Sequence, residues 1–183
     1  MSALFHLLNR DLGPAVDRLM VLVSRPEVIW IFFVLAGGVV VLRKGRSGME
    51  AVVVALAVVL VVDFACARLL KPFFAHPRPY AALSGVRVFK GGRFRITKRP
   101  LSAEHYGFPS CHATNTAAAA VALSLADPLV APATGAFTLL VGVSRVYLGA
   151  HFPEDVLFGW AFGGLAGFAG GMLWRRRTTK KGS

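Results

Sequence analysis

Two apolar runs near the N-terminus determine the fold of this chain. The first is VIWIFFVLAGGVVVL at residues 28–42, and the second is MEAVVVALAVVLVVDFACARLL at residues 49–70. The basic sequence RKGR at residues 43–46 ends the first run. A helix needs about 20 apolar residues to cross a bilayer, and the first run reaches that length with residues from its two ends. The stretch therefore predicts two membrane spans joined by a short basic turn.

The composition of the whole chain supports a membrane protein. Of its 183 residues, 55% are hydrophobic and 16% are charged, whereas soluble chains are about 25% charged. This excludes a soluble globular domain, and it excludes a disordered chain, which combines high charge with low hydrophobicity. The formal net charge is nevertheless +12. Such a charge usually indicates a nucleic-acid binder, but a soluble protein of that kind would not be so apolar. We therefore expect the cations to contact another polyanion and no nucleic acid.

Three more spans are predicted in the second half of the chain. They are an alanine-rich helix over Ser110–Ala126 and two helices over Leu129–Val143 and Asp155–Trp174. The predicted fold class is all-α, a polytopic transmembrane helix bundle of about five spans, with a single domain over residues 1–183. A basic tail follows the last span at residues 175–183.

Residues 1–24 are predicted to form an amphipathic helix rather than a span. Apolar side chains recur there at steps of three and four residues, as in a helix with one apolar face, and Gly13-Pro14 breaks or kinks it. Such a helix lies in the headgroup plane of the membrane, or it packs on the bundle like a short helix of a soluble protein. The segment lacks the basic start of a secretory signal.

A long polar and basic segment at residues 71–109 contains a predicted β-hairpin. Alternating side chains on both sides of Gly91-Gly92 indicate two strands with a two-residue turn over residues 86–97. In that register Phe89 faces Phe94. The opposite face carries three basic side chains: Lys90, Arg93 and Arg95. We interpret this basic face as a headgroup-binding surface with the apolar face toward lipid, and a hairpin that is merely solvated is the alternative.

Counting the spans assigns every loop to one of two faces of the membrane. One face holds eight of the 21 basic residues, close to span ends: Arg43, Lys44, Arg46, Arg175, Arg176, Arg177, Lys180 and Lys181. The other face holds the remaining thirteen, in and around the N-terminal helix, residues 71–109 and residues 144–154. A raw count of positive charges places this second face in the cytoplasm. Cations that bind an anionic ligand do not report orientation, however, so the count leaves it open.

The last predicted span carries a glycine at every fourth position: Gly159, Gly163, Gly167 and Gly171. Such a ridge of small residues lets a second helix approach closely. We expect close packing inside the bundle, with a homodimer seam as the alternative.

Three clusters of polar residues are predicted to lie on one face of the membrane. They are KPFFAHPRP at residues 71–79, PSCH at residues 109–112 and SRVYLGAHFPED at residues 144–155. Each cluster has a structural explanation on its own, as a span-end cation, a helix cap or a polar interface. Together they bring three cations, two histidines and a carboxylate to one surface, and this combination indicates phosphoryl transfer.

The binding part of this predicted site consists of cations and a helix N-terminus. Lys71, Arg78 and Arg145 can neutralise phosphate oxygens, and arginine can do so with two parallel hydrogen bonds. The Ser110 hydroxyl and the free N–H groups near Cys111 form an anion site at the start of a helix. No cluster of cysteine, histidine and carboxylate residues has the spacing of a metal site, so we expect no metal.

The chemical part of the predicted site consists of two histidines and an aspartate. His151 is the candidate nucleophile. Asp155, in the first turn of a helix that begins at Pro153, is placed to fix the tautomer of His151. His112 lies on another helix and is free to act as general acid and base.

In the order and spacing of these clusters the sequence resembles the type 2 phosphatidic acid phosphatases, a family of membrane lipid phosphatases. The family motifs are Lys-x(six)-Arg-Pro, Pro-Ser-Gly-His and Ser-Arg-x(five)-His-x(three)-Asp. The resemblance implies a two-step hydrolysis without metal or other cofactor. In it, His151 forms a phosphohistidine, His112 protonates the leaving oxygen and then activates water, and Asp155 orients His151. The residues implied for holding the phosphoryl oxygens are Lys71, Arg78, Ser110 and Arg145.

The resemblance also implies a lipid substrate and a place in the cell. Candidate substrates are undecaprenyl diphosphate, phosphatidylglycerophosphate, phosphatidic acid and the 1-phosphate of lipid A. The site is expected at the periplasmic or outer face of a bacterial inner membrane, with the compact basic clusters and the C-terminus in the cytoplasm. Two features depart from the family pattern, because Cys111 replaces a glycine and many members have six spans.

Other functions are alternatives at this point. A lipid-to-lipid phosphotransferase would use the same phosphohistidine. A transporter or non-catalytic lipid-binding protein would carry ionisable residues through several spans, and only Asp63 and Arg68 fit that pattern. A vanadate haloperoxidase with the same pocket is a remote alternative, since such relatives are soluble.

Some polar residues and cysteines lie outside these roles. Cys66 and Cys111 could form a redox pair, but we expect Cys66 to be packed within its span. Asp63, inside a span, is expected to pair with Arg68 or with a facing polar residue such as Asn115, or to have a function. Two histidines are expected to be plain loop residues: His76 and His105.

Overall fold

The computed structural model describes residues 2–98 and 106–181. In chain order the elements are α1 (Ser2–Leu8), α2 (Pro14–Val23), α3 (Pro26–Phe64), a π-helical segment (Ala65–Leu70), α4 (Lys71–Phe74), α5 (Pro79–Ala82), β1 (Arg87–Lys90), β2 (Arg93–Ile96), α6 (Cys111–Ala126), a 3-10 turn (Pro128–Val130), α7 (Ala131–Tyr147) and α8 (Pro153–Lys181). His105 and the side chains of Lys180 and Lys181 lie outside the described residues. The fold is therefore mainly helical, with one two-stranded antiparallel sheet.

The first two predicted spans correspond to the two arms of α3, which reverses direction at Gly45. Gly45 has φ 57° and ψ −131°, a conformation that favours glycine. The arms pack closely, since a Cβ added at Gly48 would lie 2.5 Å from the carbonyl oxygen of Val40. A Cβ added at Gly37 would lie 3.3 Å from Cγ2 of Val52. The reversal therefore falls where the basic sequence at residues 43–46 predicts it.

Among the described residues, three helical segments are long and apolar enough to cross a membrane: Pro26–Ala82, Pro128–Tyr147 and Pro153–Thr178. The first of them contains the reversal at Gly45. α6 has 16 residues, fewer than the roughly 20 that a typical span needs. The helical membrane fold with its small sheet is thus confirmed in outline, while the count of five spans stays a prediction.

The boundaries of α7 and α8 differ from the prediction. α7 extends through Tyr147, so Ser144 and Arg145 lie in its last turn and not in a loop. α8 begins at Pro153, as predicted, but continues through the basic cluster to Lys181, so the described part of the tail is helical. Both extensions place arginine in a helix, for which it has a high propensity.

α6 lies between α3 and α8 at the centre of the bundle, where its alanine side chains let the neighbouring helices approach. The glycine ridge of α8 faces it. A Cβ added at Gly159, Gly163 or Gly167 would lie 2.8, 2.0 and 2.4 Å, respectively, from a carbonyl oxygen of Ser110, Thr114 or Ala118. Gly171 faces Leu125, with a Cβ-to-Cδ1 distance of 2.7 Å on the same construction. All four glycines therefore pack against α6, as expected inside the bundle, and the homodimer seam stays a prediction.

The N-terminal segment consists of α1 and α2, which are separated at Gly13 with φ 90°. The Phe5 side chain is fully buried in a cluster with Val146 and Val156. The Asn9 side-chain amide donates to the carbonyl oxygens of Arg87 at 2.7 Å and of Tyr147 at 2.9 Å. The leucines of the opposite face are exposed: Leu4, Leu7, Leu12, Leu19 and Leu22. The segment therefore packs on the bundle with one face and keeps the amphipathic character predicted for residues 1–24.

The β-hairpin has the predicted register, with Phe89 paired with Phe94. The half-buried Phe94 ring lies near Arg87 and Tyr147, whereas Ile96 of the same face is exposed, and the orientation of this face toward lipid stays a prediction. The Arg87 guanidinium lies 3.7 Å from the centre of the Phe94 ring and donates to both carboxylate oxygens of Asp17 in α2, at 2.9 and 2.6 Å. These hydrogen bonds hold the pKa of Asp17 below its usual value. The three basic side chains of the other face are exposed: Lys90, Arg93 and Arg95.

An ion pair at the other end of the bundle joins the reversal of α3 to the turn before α7. Nε of Arg43 lies 2.6 Å from Oδ2 of Asp127. Oδ1 of Asp127 accepts a hydrogen bond from the N–H of Leu129 at 3.1 Å. The predicted Asp127-Pro128 turn is thus held in place by a cation of the basic turn.

We predict that Gly163→Ala lowers the thermal stability of the protein and that Gly164→Ala does not. The new methyl group at residue 163 would meet the Thr114 carbonyl oxygen at 2.0 Å, whereas the nearest atom to a Cβ at residue 164 is Cγ2 of Val121 at 4.0 Å. Overpacking of this kind costs about 1–3 kcal/mol, and alanine is otherwise favoured over glycine in a helix by about 1 kcal/mol. Thermal unfolding of both variants in one detergent measures the difference, and equal melting temperatures would contradict the close packing of α8 on α6.

Candidate active site

The three polar clusters of the sequence converge on one end of the bundle. The buried His151 lies within electrostatic reach of Lys71, Arg78, His112 and Arg145. These residues come from four different elements, because Lys71 begins α4, Arg78 precedes α5, His112 is in the first turn of α6 and Arg145 is in the last turn of α7. The fold thus brings together the side chains that the sequence assigns to one site.

The positions of α6 and α8 are fixed against each other at their N-terminal ends. The N–H of Ser110 donates to the carbonyl oxygen of Asp155 at 3.0 Å. Gly159, one turn further along α8, leaves room for the carbonyl oxygen of Ser110. The free N–H groups of the first turn of α6 therefore point toward the same region as the start of α8.

The segment between α7 and α8 folds back on the end of α7. The N–H groups of Ala150 and His151 both donate to the carbonyl oxygen of Arg145, at 3.0 and 3.2 Å. Gly149 has φ 69°, and a Cβ there would lie 2.6 Å from the carbonyl oxygen of Arg87, so glycine is required both for the turn and for the approach of the hairpin. The hairpin is attached at this point, since the N–H of Phe89 donates to the carbonyl oxygen of Leu148 at 3.1 Å.

Asp155 is fully buried and faces the imidazole of His151. Oδ2 of Asp155 lies 3.3 Å from Nδ1 of His151 and accepts a hydrogen bond from the N–H of Phe152 at 2.9 Å. A carboxylate in this position favours the tautomer with the proton on Nδ1, which leaves the lone pair on Nε2. The arrangement matches the placement predicted for Asp155 from its spacing.

The imidazole of His151 is held in its neutral form. Burial lowers the pKa of His151 well below its usual range, and the nearby positive charges of Arg145, Arg78 and Lys71 lower it further. Desolvation disfavours a charged imidazole, and like charges add to that effect. A neutral imidazole with a free Nε2 is the form that can act as a nucleophile.

Several buried donor groups in the site have no partner in the part of the chain that the structure describes. Among the described residues, Nε of Arg78, Nε of Arg145 and Oγ of Ser110 are buried without a hydrogen bond. Unpaired buried donors are rare in folded proteins, and here they surround one histidine. Nζ of Lys71 is close by and donates to the carbonyl oxygen of Tyr106 at 3.2 Å. The site therefore offers its unused hydrogen bonds to an anion.

Cys111 is joined to Cys66 by a disulfide, with their Cα atoms 5.8 Å apart. The expectation that Cys66 is only a packed residue of its span is therefore wrong, although Cys66 is fully buried. The bond connects the π-helical segment to the first residue of α6. It ties the Ser110–His112 corner of the site to the helix that leads into Lys71.

Two residues of the site have no recognised role in the sequence patterns. Ser24 ends α2, its hydroxyl accepts a hydrogen bond from Nη1 of Arg145, and its backbone lies within hydrogen-bonding reach of the His112 imidazole. Nδ1 of His76 lies 3.6 Å from Oδ1 of Asp155, so this loop histidine faces the active carboxylate. The only sequence feature that could indicate a role for His76 is its position inside the first motif. No sequence feature indicates a role for Ser24.

An apolar cavity of about 300 Å³ opens beside His112 between α3 and α6. Its lining includes Trp30 and Phe33 from the first arm of α3 and Asp63 from the second. Asp63 accepts a hydrogen bond from Nδ2 of Asn115 at 2.7 Å, which is the second of its two predicted partners. The cavity extends the site from the cationic end of the bundle into its membrane-spanning part.

Within residues 2–98 and 106–181, no group of three or more histidine, cysteine or acidic residues could hold a metal ion. The positive charge of the described site comes from arginine and lysine side chains. The predicted headgroup contacts of Lys90, Arg93 and Arg95 stay a prediction, since these side chains are exposed on the outer side of the hairpin.

Comparison with known proteins gives consistent results for sequence and fold. The model of the PAP2 superfamily matches residues 51–179. Lipid A 1-phosphatase from Rhizobium etli is 33% identical over 141 residues, which cover 74% of this chain and 58% of that protein. Undecaprenyl-diphosphatase from Sulfolobus acidocaldarius is 27% identical over 170 residues, which cover 90% of this chain and 74% of that protein. The chain thus spans a little over half the length of the Rhizobium relative.

A solved structure has the same fold. The crystal structure of LpxE from Aquifex aeolicus superposes with a TM-score of 0.67 over 92% of each chain, at 23% sequence identity. The family match covers the second arm of α3 and all three motifs, and the named relatives are phosphatases. The resemblance inferred from the three motifs is therefore confirmed, and the chain belongs to the PAP2 superfamily of phosphatases.

Proposed function

We propose that this chain is a membrane-integral, metal-independent lipid phosphatase that removes the phosphate or diphosphate headgroup of a membrane lipid through a phosphohistidine. One observation carries the proposal. Among the described residues, the buried atoms Nε of Arg78, Oγ of Ser110 and Nε of Arg145 have no hydrogen-bond partner. Both arginines lie within electrostatic reach of the buried, neutral His151. A phosphoryl group is the ligand whose charge and multiple acceptor oxygens would satisfy these groups.

In the first step Nε2 of His151 attacks phosphorus, forming the N–P bond as the bond to the leaving oxygen breaks. His112, which takes up a proton when the anionic phosphoryl group offsets the neighbouring cations, gives that proton to the leaving oxygen, so the lipid leaves as an alcohol or, from a diphosphate, as a lipid phosphate. Asp155 accepts the hydrogen bond from Nδ1 and stabilises the positive charge that develops on the ring. The proton lost by His112 is returned in the second step.

In the second step His112 takes a proton from water, and the oxygen of that water attacks phosphorus. The N–P bond breaks, inorganic phosphate leaves and His151 returns to its neutral form. Lys71, Arg78 and Arg145 hold the phosphoryl oxygens in both steps and neutralise their charge, the role that metal ions have in other phosphatases.

The relatives' names suggest the lipid class but do not select one substrate. Candidate substrates are undecaprenyl diphosphate, phosphatidylglycerophosphate, phosphatidic acid and the 1-phosphate of lipid A. Three exposed cations lie on the outer side of the hairpin: Lys90, Arg93 and Arg95. We propose that they contact the part of the headgroup beyond the phosphate.

We further propose that the site faces the periplasm or the cell exterior and that the C-terminus lies in the cytoplasm of a bacterial cell, with the chain in the inner membrane. Disulfides persist in oxidising compartments, and the Cys66–Cys111 disulfide adjoins the site. The opposite face carries basic residues directly at helix ends, including Arg43 and Arg46, as the positive-inside rule expects of a cytoplasmic face.

We predict that His151→Gln lowers phosphate release from a panel of lipid phosphates by about 10³-fold or more, because the nucleophile is lost. His6→Gln, an exposed position in α1, is the control and should retain activity.

After incubation with a ³²P-labelled lipid phosphate, the wild-type protein should carry acid-labile label and the His151→Gln variant should not. Turnover by the wild-type protein should continue in the presence of EDTA. A strict requirement for Mg²⁺ would refute the mechanism, and so would substantial activity of His151→Gln. Turnover that occurs only when a second lipid is added would instead indicate a phosphotransferase.

We predict that the His151 imidazole titrates with a midpoint below pH 6.5, the usual value for histidine. Because burial and neighbouring cations disfavour its charged form, the ring stays neutral at pH 7 and gains a proton only in more acidic solution. Histidine Cε1 signals in an NMR titration of the substrate-free protein measure this, and His151→Gln identifies the signal by its loss. A midpoint at or above pH 6.5 would contradict the lowering of the His151 pKa by burial and neighbouring cations.

We predict that a green fluorescent protein fused after Ser183 is fluorescent and that alkaline phosphatase fused at the same point is inactive, since the first folds in the cytoplasm and the second requires the periplasm. Each fusion serves as the control for the other, because only one of the two reporters can be active on a given side of the membrane. An active alkaline phosphatase fusion would reverse the proposed orientation.

A further inference from the structure

The cavity beside His112 lies where the leaving group of the reaction must go. It is lined by the first turns of α6 and by both arms of α3, so it begins at His112 and continues into the bundle. If His112 protonates the leaving oxygen, as proposed above, the group attached to that oxygen occupies this cavity. Its walls at Trp30, Phe33 and Leu60 are apolar and suit the hydrocarbon part of a lipid.

Besides His112 and Thr116, two further polar residues interrupt this apolar lining. Asp63, in the second arm of α3, and Asn115, in α6, both line the cavity and are joined by the hydrogen bond of 2.7 Å between Oδ1 and Nδ2. Asp63 is exposed in the protein alone, and an ionisable residue in a membrane-spanning helix is costly and is usually retained for a function. A pocket that binds only hydrocarbon would gain no interaction from such a polar pair.

The hydrogen-bonding state of the pair defines what it can bind. Because the Asp63 carboxylate only accepts, its partner atom in Asn115 must be the amide nitrogen. Oδ1 of Asn115 is then left buried and without a partner among the described residues, and the carboxylate has lone pairs to spare. The pair therefore presents acceptors and requires a donor from the ligand.

The position of the pair defines where on the ligand that donor must be. Asn115 lies three residues after His112, so both side chains are on the same face of α6, about 5–6 Å apart at their Cβ atoms. The oxygen or nitrogen of a donor on the carbon next to the phosphate-bearing carbon is three bonds further from phosphorus than the leaving oxygen. Such a donor would reach Asn115 and Asp63 while His112 contacts the leaving oxygen.

We propose that Asp63 and Asn115 form a leaving-group subsite that accepts a hydrogen bond from a hydroxyl or amide N–H on the carbon adjacent to the phosphate-bearing carbon. The inference rests on the proposed phosphatase function and narrows it. The substrate class is a phosphate monoester of a glycerol or sugar lipid with a vicinal donor. A lipid diphosphate fits less well, because its leaving group is an anionic lipid phosphate that the Asp63 carboxylate repels.

The size of the effect follows from the cost of leaving the buried Oδ1 of Asn115 without a partner. A site built to hydrogen-bond a substrate donor discriminates strongly against the analogue that lacks it, because its own acceptors then lose their partner. Losing a hydrogen bond to a charged group costs about 1.5–3 kcal/mol. We therefore expect a preference of about 10- to 100-fold in kcat/KM for the substrate with the donor.

The experiment compares matched substrates in detergent with the full-length protein. One pair is 1-acyl-glycerol 3-phosphate and its 2-deoxy analogue, and the other is a lipid-linked N-acylglucosamine 1-phosphate and its 2-deoxy counterpart. The readout is the ratio of kcat/KM within each pair, which does not depend on the fraction of folded enzyme. Asp63→Leu and Asn115→Ala should reduce the ratio toward one, whereas Ser124→Ala, further along α6 and paired with Thr134, should keep it.

The outcomes separate this inference from the proposed function. A wild-type ratio of about 10 to 100 that collapses in both cavity variants supports the subsite, and the pair with the larger ratio identifies the glycerol or the sugar class. Efficient hydrolysis of both members of each pair at equal rates overturns the subsite and leaves the phosphatase function intact. A ratio that survives Asp63→Leu and Asn115→Ala also overturns it. Absence of hydrolysis with every lipid phosphate overturns the function itself.

Discussion

α6 and α8 begin side by side, joined by the hydrogen bond from the Ser110 N–H to the Asp155 carbonyl oxygen at 3.0 Å. α6 supplies the helix N-terminus and His112, and the entry to α8 supplies His151 and Asp155. The glycine ridge of α8 permits this contact over the whole length of the helix pair, since side chains there would meet backbone atoms of α6. The chemistry of the site therefore depends on small residues several turns away from it, which act by setting the distance between two helices.

The site holds positive charges together without an equal number of negative ones. Lys71, Arg78 and Arg145 surround a neutral His151, and the buried Asp155 is the main local carboxylate. Mutual repulsion and burial of cations cost free energy in the absence of a ligand, and an anion offsets part of that cost. Such a site favours ligands with dispersed negative charge over neutral lipids. Part of the +12 net charge of the chain is therefore concentrated in this site.

Sequence patterns predicted those parts of the structure that depend on local or repeated signals. The reversal near Gly45, the register of Phe89 with Phe94 and the assembly of the three motifs follow from apolar runs, a Gly-Gly turn and fixed spacings. α7 continues past Val143, where the sequence predicts its end, because Ser144 and Arg145 extend the helix instead of starting the polar loop. The role of α3 and α6 in forming a cavity depends on tertiary packing, which no local pattern contains.

Long-range partners were the least predictable feature. Arg87 could not be assigned to Asp17 or Ser24 to Arg145, because these contacts join residues 70 and 121 positions apart. The candidate partner for Asp63 was narrowed to two residues, and the fold selected Asn115. The sequence is compatible with Cys66 and Cys111 as separate packed residues. The disulfide between them becomes evident only when the fold brings the two residues together.

The disulfide makes the part of the chain between Cys66 and Cys111 a covalent ring. The ring spans a sequence separation of 45 residues, and closing a loop of that length removes conformational entropy worth about 4 kcal/mol from the unfolded chain. It contains Lys71 and Arg78 as well as the hairpin. A single peptide-bond cleavage anywhere in the ring would thus leave one covalent molecule, in which both cations stay linked to the helix that carries His112 until a reductant separates the two fragments.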